Sequence, residues 1–165
     1  MAATTGKIKR SLIQTFMDTS AVPHTVPTYF LLGEGVVGGQ IAMNPKTLEE
    51  TYISEDSANI SIESYAPKMP VDQTAIGGDE VFDYVDSLRV ARAVLAAAET
   101  TIVNVWMYET GGPTAYPAEQ QAVSIQVDSF GGAGGEATKI SFTINYMDDP
   151  IPGTFNASTK AFTAS

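Results

Sequence analysis

The stretch Val123-Ser-Ile-Gln-Val-Asp-Ser-Phe-Gly-Gly-Ala-Gly-Gly-Glu-Ala-Thr-Lys-Ile-Ser-Phe-Thr-Ile-Asn-Tyr146 decides the fold class. Val123, Ile125 and Val127 alternate with Ser124, Gln126 and Asp128. Beyond the glycine run, Ile140, Phe142, Ile144 and Tyr146 alternate with Lys139, Ser141, Thr143 and Asn145. A period of two marks strands, and glycine reaches the positive φ values a tight turn requires. The stretch therefore reads as a hairpin with one apolar face and one face of small polar side chains. A slip of one residue would turn the whole apolar set to solvent, so the register is well specified.

Outward from this hairpin the strand signals continue. Thr101 to Glu109 is rich in β-branched and aromatic residues, Thr28 to Leu32 is a short apolar run entering glycines, and Ile60 to Glu63 alternates. Gln40 to Ile53 reads as another strand, with Pro45 at a bulge or edge. Ser54 to Asn59 reads as a solvent-facing loop, and Pro67 and Pro70 break the pattern after it. One helix is expected over about 79–95. Asp79 stands at the N-cap, Val81, Phe82, Val85 and Leu88 recur at helical spacing, and Ala91 to Ala98 extends the run. Acids come early and Arg89 and Arg92 late, which suits the helix dipole. Asp86 and Arg89 are spaced to pair, for about 0.2–0.5 kcal/mol.

The chain thus reads as a single mainly-β domain over 1–165, with a core at 27–150. An N-terminal arm at 1–26 and a C-terminal arm at 151–165 flank it, since Pro150, Pro152 and Gly153 end the sheet and the last residues are small and polar.

Composition narrows the function. There is no cysteine, so disulfides and thiolate chemistry are excluded. Nineteen acidic against nine basic residues give a net charge of −10, which repels nucleic acid and anionic membranes over about 8 Å at physiological salt. Lys7, Lys9 and Arg10 form the one tight basic cluster and read as a solvated terminal arm. No apolar run approaches the roughly 20 residues of a membrane span, and no signal-peptide centre follows Arg10.

Catalytic motifs fail on context. Gly33-Glu-Gly-Val-Val-Gly38 fits the dinucleotide pattern, but no helix opens there to hold a pyrophosphate, and Glu34 would face the phosphates. His24 is the sole histidine and lies between prolines in the expected arm, a poor place for a triad base. Asp148-Asp149 and Glu49-Glu50 are adjacent pairs whose side chains diverge on a strand. Glu55-Asp56 lacks calcium-loop spacing, and the sequons at Asn59 and Asn156 have no secretion signal beside them. No cofactor and no metal site is expected.

The ordered segments Thr28-Tyr-Phe-Leu-Leu-Gly-Glu-Gly35, Met43-Asn-Pro45, Thr51-Tyr-Ile-Ser-Glu-Asp-Ser57, Gly78-Asp-Glu-Val-Phe-Asp-Tyr-Val-Asp86, Tyr116-Pro-Ala-Glu119, Val123-Ser-Ile-Gln-Val-Asp128, Phe130-Gly-Gly132, Asp149-Pro150 and Gly153-Thr-Phe155 together resemble the tail tube proteins (major tail proteins) of long-tailed bacteriophages. The resemblance implies a β-sandwich or half-barrel with one flanking helix. It implies hexameric rings stacked into a hollow tube that conducts genomic DNA without binding it specifically. Implied partners are further copies, a tape measure protein, and tail terminator and distal tail proteins. The implied place is the virion tail, after synthesis in the host cytoplasm. A loop at about 44–61, carrying Glu49, Glu50, Glu55, Asp56 and Asn59, would contact neighbouring rings together with the arms.

The polar row Ser124, Gln126, Asp128, Ser141, Thr143 and Asn145 is then expected to face the lumen. Lys139 continues the row, either pairing with Asp128 or standing at the rim. Two other classes compete with this reading. A virion decoration or carbohydrate-binding β-sandwich would expose aromatics, for which Trp106, Tyr108 and Tyr116 are the candidates. A carboxylate hydrolase would need a paired acid site.

Overall fold

The computed structural model describes residues 4–165; Met1 to Ala3, the start of the expected arm, lie outside the described residues. Eleven strands and one α-helix follow in chain order: β1 (Ile13–Asp18), β2 (Tyr29–Leu31), β3 (Val36–Gly39), β4 (Pro45–Glu50), β5 (Asn59–Tyr65), β6 (Lys68–Thr74), α1 (Glu80–Ala91), β7 (Glu99–Trp106), β8 (Tyr116–Gly131), β9 (Lys139–Tyr146), β10 (Ile151–Asn156) and β11 (Ala161–Ala164). The main sheet runs β2-β1-β7-β8-β9-β6-β3, with every pairing antiparallel. The long β8 carries β9 on its second half and β10 on its first half, and β11 closes onto β10. The two strands β4 and β5 form a separate sheet.

The glycine-tipped hairpin is present as β8–β9, with Val123 opposite Tyr146, Ile125 opposite Ile144 and Val127 opposite Phe142. Gly131 at φ +137° and Gly135 at φ +84° take the backbone positions that flank its tip. Residues opposite one another share a face, so the apolar rows of both strands lie on one side. There they meet Met17, Ile102, Met69 and Val71, and α1 covers them with Val81, Val85 and Leu88.

Where the sequence suggested two arms, the structure has strands. Ile13–Asp18 is an inner strand between β2 and β7, and Phe16 and Met17 are buried on its opposite faces. The C-terminal residues fold back as β10 and β11, and Gly153 lies inside β10 instead of ending the sheet. A Cβ there would stand 2.3 Å from the Thr163 carbonyl oxygen and 2.6 Å from the Phe162 ring, so only glycine lets β11 lie this close. Phe155 of β10 fills a second apolar cluster with Phe16, Tyr29, Val103, Val105, Tyr116 and Ala118. The register places this cluster on the side of the sheet away from α1.

Pro67 and Pro70 do not break the pattern either. Lys68–Thr74 is a full strand with Met69, Val71 and Gln73 buried in alternation. The Lys68 amide donates to the Ala42 carbonyl, so the Pro70 nitrogen two residues on faces the same side. There it stands opposite Gln40, where pairing to the edge strand β3 lapses between the Gly39–Val71 pair and the Ala42–Lys68 bridge, so the bond proline cannot donate falls at an interruption beside the sheet edge. The expected strand over 40–53 is confined to β4, which shifts register after Lys46, close to the proline the sequence marked.

The helix stops at Ala91, short of the expected 95, despite the alanines that follow. Arg92 adopts the left-handed conformation at φ 48°, and its amide bonds back to Leu88 and Arg89. Alanine propensity contributes only tenths of a kcal/mol per residue, which such a terminal motif and the turn into β7 override. At the other end Asp79 caps the helix, accepting from the Phe82 amide at 2.9 Å. The same carboxylate accepts from the buried Gln73 Nε2 at 2.7 Å, and that amide also donates to the Glu34 carbonyl at 2.9 Å. Asp79→Ala therefore removes a cap and strips a partner from a buried amide, for an expected loss of about 2–3 kcal/mol in urea denaturation. Asp79→Asn, which still accepts a bond, should lose less than half of that.

Candidate assembly surfaces

Across β8, β9 and β6 the face turned away from α1 is polar. Ser124 stands opposite Asn145, Gln126 opposite Thr143, and Asp72 of β6 opposite Ser141. The side chains bond to one another along the face: Thr143 Oγ1 donates to Asp128 at 2.7 Å, Gln126 Nε2 donates to Asp128 at 2.6 Å, and Ser141 donates to Asp72. Asn145 Nδ2 reaches Gln126 Oε1 at 3.4 Å. A β-bulge between Val127 and Ser129 makes Asp128 the extra residue and restores the alternation beyond it, with Phe130 opposite Ile140. Phe130 lies under the Arg89 guanidinium at 4.0 Å, and Arg89 also pairs with Asp86 at 2.7 Å, as their spacing suggested.

Six of the seven residues singled out in this row thus share one face, and five of them, all but Ser124, are hydrogen-bonded there. Lys139 is the exception. It is exposed at the first position of β9, opposite Thr74 and Gly131. Among the described residues it forms no ion pair with Asp128, whose two oxygens are taken by Gln126 and Thr143. Sequence reading missed Asp72 and Lys68 on the same face. The alternation of Lys68-Met-Pro-Val-Asp-Gln-Thr74 carries the signal, hidden by two prolines read as breakers.

This face also has open flanks. β3 is paired only with β6, and β7 covers β8 no further than Ser124, which leaves Gln126 to Gly131 without a strand on that side among the described residues.

The second surface is the β4–β5 hairpin. Glu49, Glu50, Glu55, Asp56 and Asn59 all lie on it, and every residue of both strands is exposed. The segment 44–61 expected as a loop is thus in part a ladder, in which Glu49 opposes Ile60 and Glu50 opposes Asn59. Lys46 pairs with Glu63 at 2.8 Å, Glu50 accepts from the Tyr52 hydroxyl at 3.3 Å, and Asn59 donates to Glu55. Leu48, Ile53, Ile60 and Ile62 are exposed, Ile53 completely. Among the described residues no group of three or more acids or histidines is placed to hold a metal ion.

His24 is held, contrary to its reading as part of a loose arm. Its Nε2 faces the Glu99 carbonyl at 3.0 Å and its Nδ1 faces the Ser20 hydroxyl at 3.0 Å and Asp18 at 3.4 Å. Asp18, almost fully buried, also accepts from the amides of Ser20 and Thr28 and so closes the loop between β1 and β2. Carboxylate and hydroxyl approach the same ring nitrogen, whereas triad catalysis works through opposite ones. Of the candidate exposed aromatics, Tyr116 is buried in the second cluster, so no aromatic platform forms from all three.

Burial raises the Tyr29 phenol above the usual tyrosine value of 10.0, partly offset by Gln120 Nε2 donating at 2.7 Å and reinforced by Asp18. Tyr146 is raised in the same way, with Asn104 opposing the effect of burial. The native state thus holds these protons more tightly than the unfolded chain. Their stabilisation is complete below about pH 10 and is lost as pH rises through the native values. Urea midpoints followed from pH 7 to 11 should fall at the alkaline end, and Tyr29→Phe with Tyr146→Phe should flatten that fall.

In solved structures the same architecture occurs in the tail of an empty GTA particle with C6 symmetry, at TM-score 0.62 and 10% identity, covering 96% of this chain and 100% of that one. The fold is shared with proteins of phage-tail-like particles. The tube-terminating cap of the anti-feeding prophage matches at TM-score 0.54 and 12% identity, over 93% of this chain and 95% of the other. The PVC sheath/tube terminator of an extracellular contractile injection system matches at TM-score 0.52 and 11% identity, over 91% of this chain and 99% of the other. No protein-family model and no curated protein matches in sequence. At these identities the likeness is one of fold. No helix among the described residues is long and apolar enough to cross a membrane.

Proposed function

We propose that this chain is a structural tail subunit that assembles as sixfold rings stacked into a tube, through which DNA passes on delivery. It acts without catalysis. The observation that carries the reading is the polar face over β8, β9 and β6. It is solvent-facing, hydrogen-bonded within itself, poor in cations, and flanked by two unpaired strand edges. Unpaired edges of this kind invite pairing with another copy. Edge-to-edge joining of six such sheets would close a ring and line it with Ser124, Gln126, Asp128, Ser141, Thr143 and Asn145. Few lysines and arginines on that lining keep counterion release, the main source of DNA affinity, low. The acidic β4–β5 hairpin with Glu49, Glu50, Glu55, Asp56 and Asn59 would reach neighbouring rings. Tape measure, terminator and distal tail proteins would meet the tube at its ends. The working place is the particle's tail, after synthesis in the host cytoplasm.

A second reading is the terminator, because two of the three solved structures named above are a tube-terminating cap and a sheath/tube terminator. Negative-stain microscopy of the purified chain separates them. Tubes of uniform diameter support the tube subunit, and single rings that do not stack assign the terminator. Persistent monomers at high concentration would overturn both and favour a decoration or glycan-binding role.

A further inference from the structure

We propose that the β4–β5 hairpin of one copy docks in the groove between β1–β2 and β3–β6 of a second copy. This rests on the self-assembling reading and names the surface that receives the hairpin. The groove encloses about 360 Å³ and is lined by Ile13, Leu31, Leu32, Val36, Met69 and Val71. Arg10 stands at its mouth and reaches across it to the Gly39 carbonyl at 3.3 Å. Lys7 and Lys9 precede Arg10 in the chain, are exposed, and form no ion pair among the described residues. The groove is therefore a largely apolar trough with Arg10 in its lining, and two further cations, Lys7 and Lys9, lie within three positions of Arg10 in the chain.

The hairpin has the complementary character. Its strands and tip carry five carboxylates against one lysine, and that lysine is already paired with Glu63. Ile60 and Ile62 share one face of it, Leu48 lies on the other, and all three are exposed in this chain. A two-stranded ribbon without a buried face is marginal in water, so the hairpin gains most from a partner surface. Its own groove is not that surface, since every residue of β4 and β5 is exposed here. A second copy supplies apolar surface and opposite charge together. The contact is head-to-tail, so each copy offers one hairpin and one groove, and such contacts propagate into rings or stacks.

The absence of cysteine allows a clean test. A benzophenone attached at Ile60→Cys is photolysed in full-length protein, and the cross-linked peptides are identified by mass spectrometry. Cross-links to residues 9–14, 31–39 or 69–71 of a second copy support the proposal. Cross-links confined to the other copy's hairpin, or to α1, overturn it. Lys7→Glu with Lys9→Glu in the receiving copy should lower the yield about tenfold, and Glu49→Lys with Glu50→Lys in the hairpin copy should restore it. All four positions are exposed, so the restored pairing also shows that the variants fold. Tubes without this cross-link would overturn the docking and leave the tube reading standing. The cross-link without tubes or rings would do the reverse.

Discussion

Phe155→Ala is expected to lower the stability of the fold by about 3–5 kcal/mol, read as a shift in the urea midpoint with the slope unchanged. Phe155 is completely buried, its ring centroid 4.5 Å from that of Phe16 and 6.2 Å from that of Tyr29, in tilted and edge-on arrangements. Truncation to alanine loses the transfer free energy of the ring and leaves a cavity between β10 and β1, two strands joined only through others. Folded domains retain roughly 5–15 kcal/mol in total, so the variant would lose a large share of its margin. Phe155→Leu should recover more than half of the loss. A cost below about 1 kcal/mol for the alanine variant would mean that the C-terminal hairpin is not integral to the core.

The second large effect concerns the polar face. With Gln126→Lys, Thr143→Lys and Asn145→Lys combined, assembled tubes are expected to retain short duplex DNA that wild-type tubes release. Retention should depend steeply on salt. If six to ten phosphates are neutralised along the lining, affinity falls by about 10³–10⁵ between 50 and 200 mM. None of the three positions belongs to either apolar cluster, so assembly and secondary structure should be preserved. Co-sedimentation of labelled duplex at two salt concentrations reads the result. Equal, weak binding by variant and wild-type tubes would place this face away from any lumen DNA can enter.

How much was legible beforehand follows from where the signal was local. The β8–β9 hairpin was readable because both strands alternate cleanly and glycine sits between them, so residue type, periodicity and turn chemistry agreed. The cap at Asp79 was equally local. The strands β1, β10 and β11 were not readable, because their residues carry little periodicity of their own. Phe16 and Met17 are both buried because β1 lies between two layers, one under α1 and one against Phe155. A strand buried on both faces shows no alternation, and a segment rich in Thr, Ala and Ser reads as a tail until its pairing partner is known. β6 was hidden for a different reason. Pro70 is tolerated because it faces the edge strand β3 where that pairing lapses, which no property of residues 68–74 reveals.

The candidate surfaces divide along the same line. The sequence by itself determined that Ser124, Gln126, Ser141, Thr143 and Asn145 share one polar face, since strand geometry fixes alternation within a few residues. It also determined that the chain lacks a basic stripe and thiol chemistry. Only the tertiary structure decided that Asp72 joins that face, that Asp128 is spent on Thr143 and Gln126 and not on Lys139, and that the acidic loop is an exposed ribbon. It also brought Arg10 across to Gly39, placing one member of a basic cluster read as a solvated arm in the lining of a groove. Those outcomes depend on contacts between residues tens of positions apart, and their free energy exists only once the chain has closed on itself.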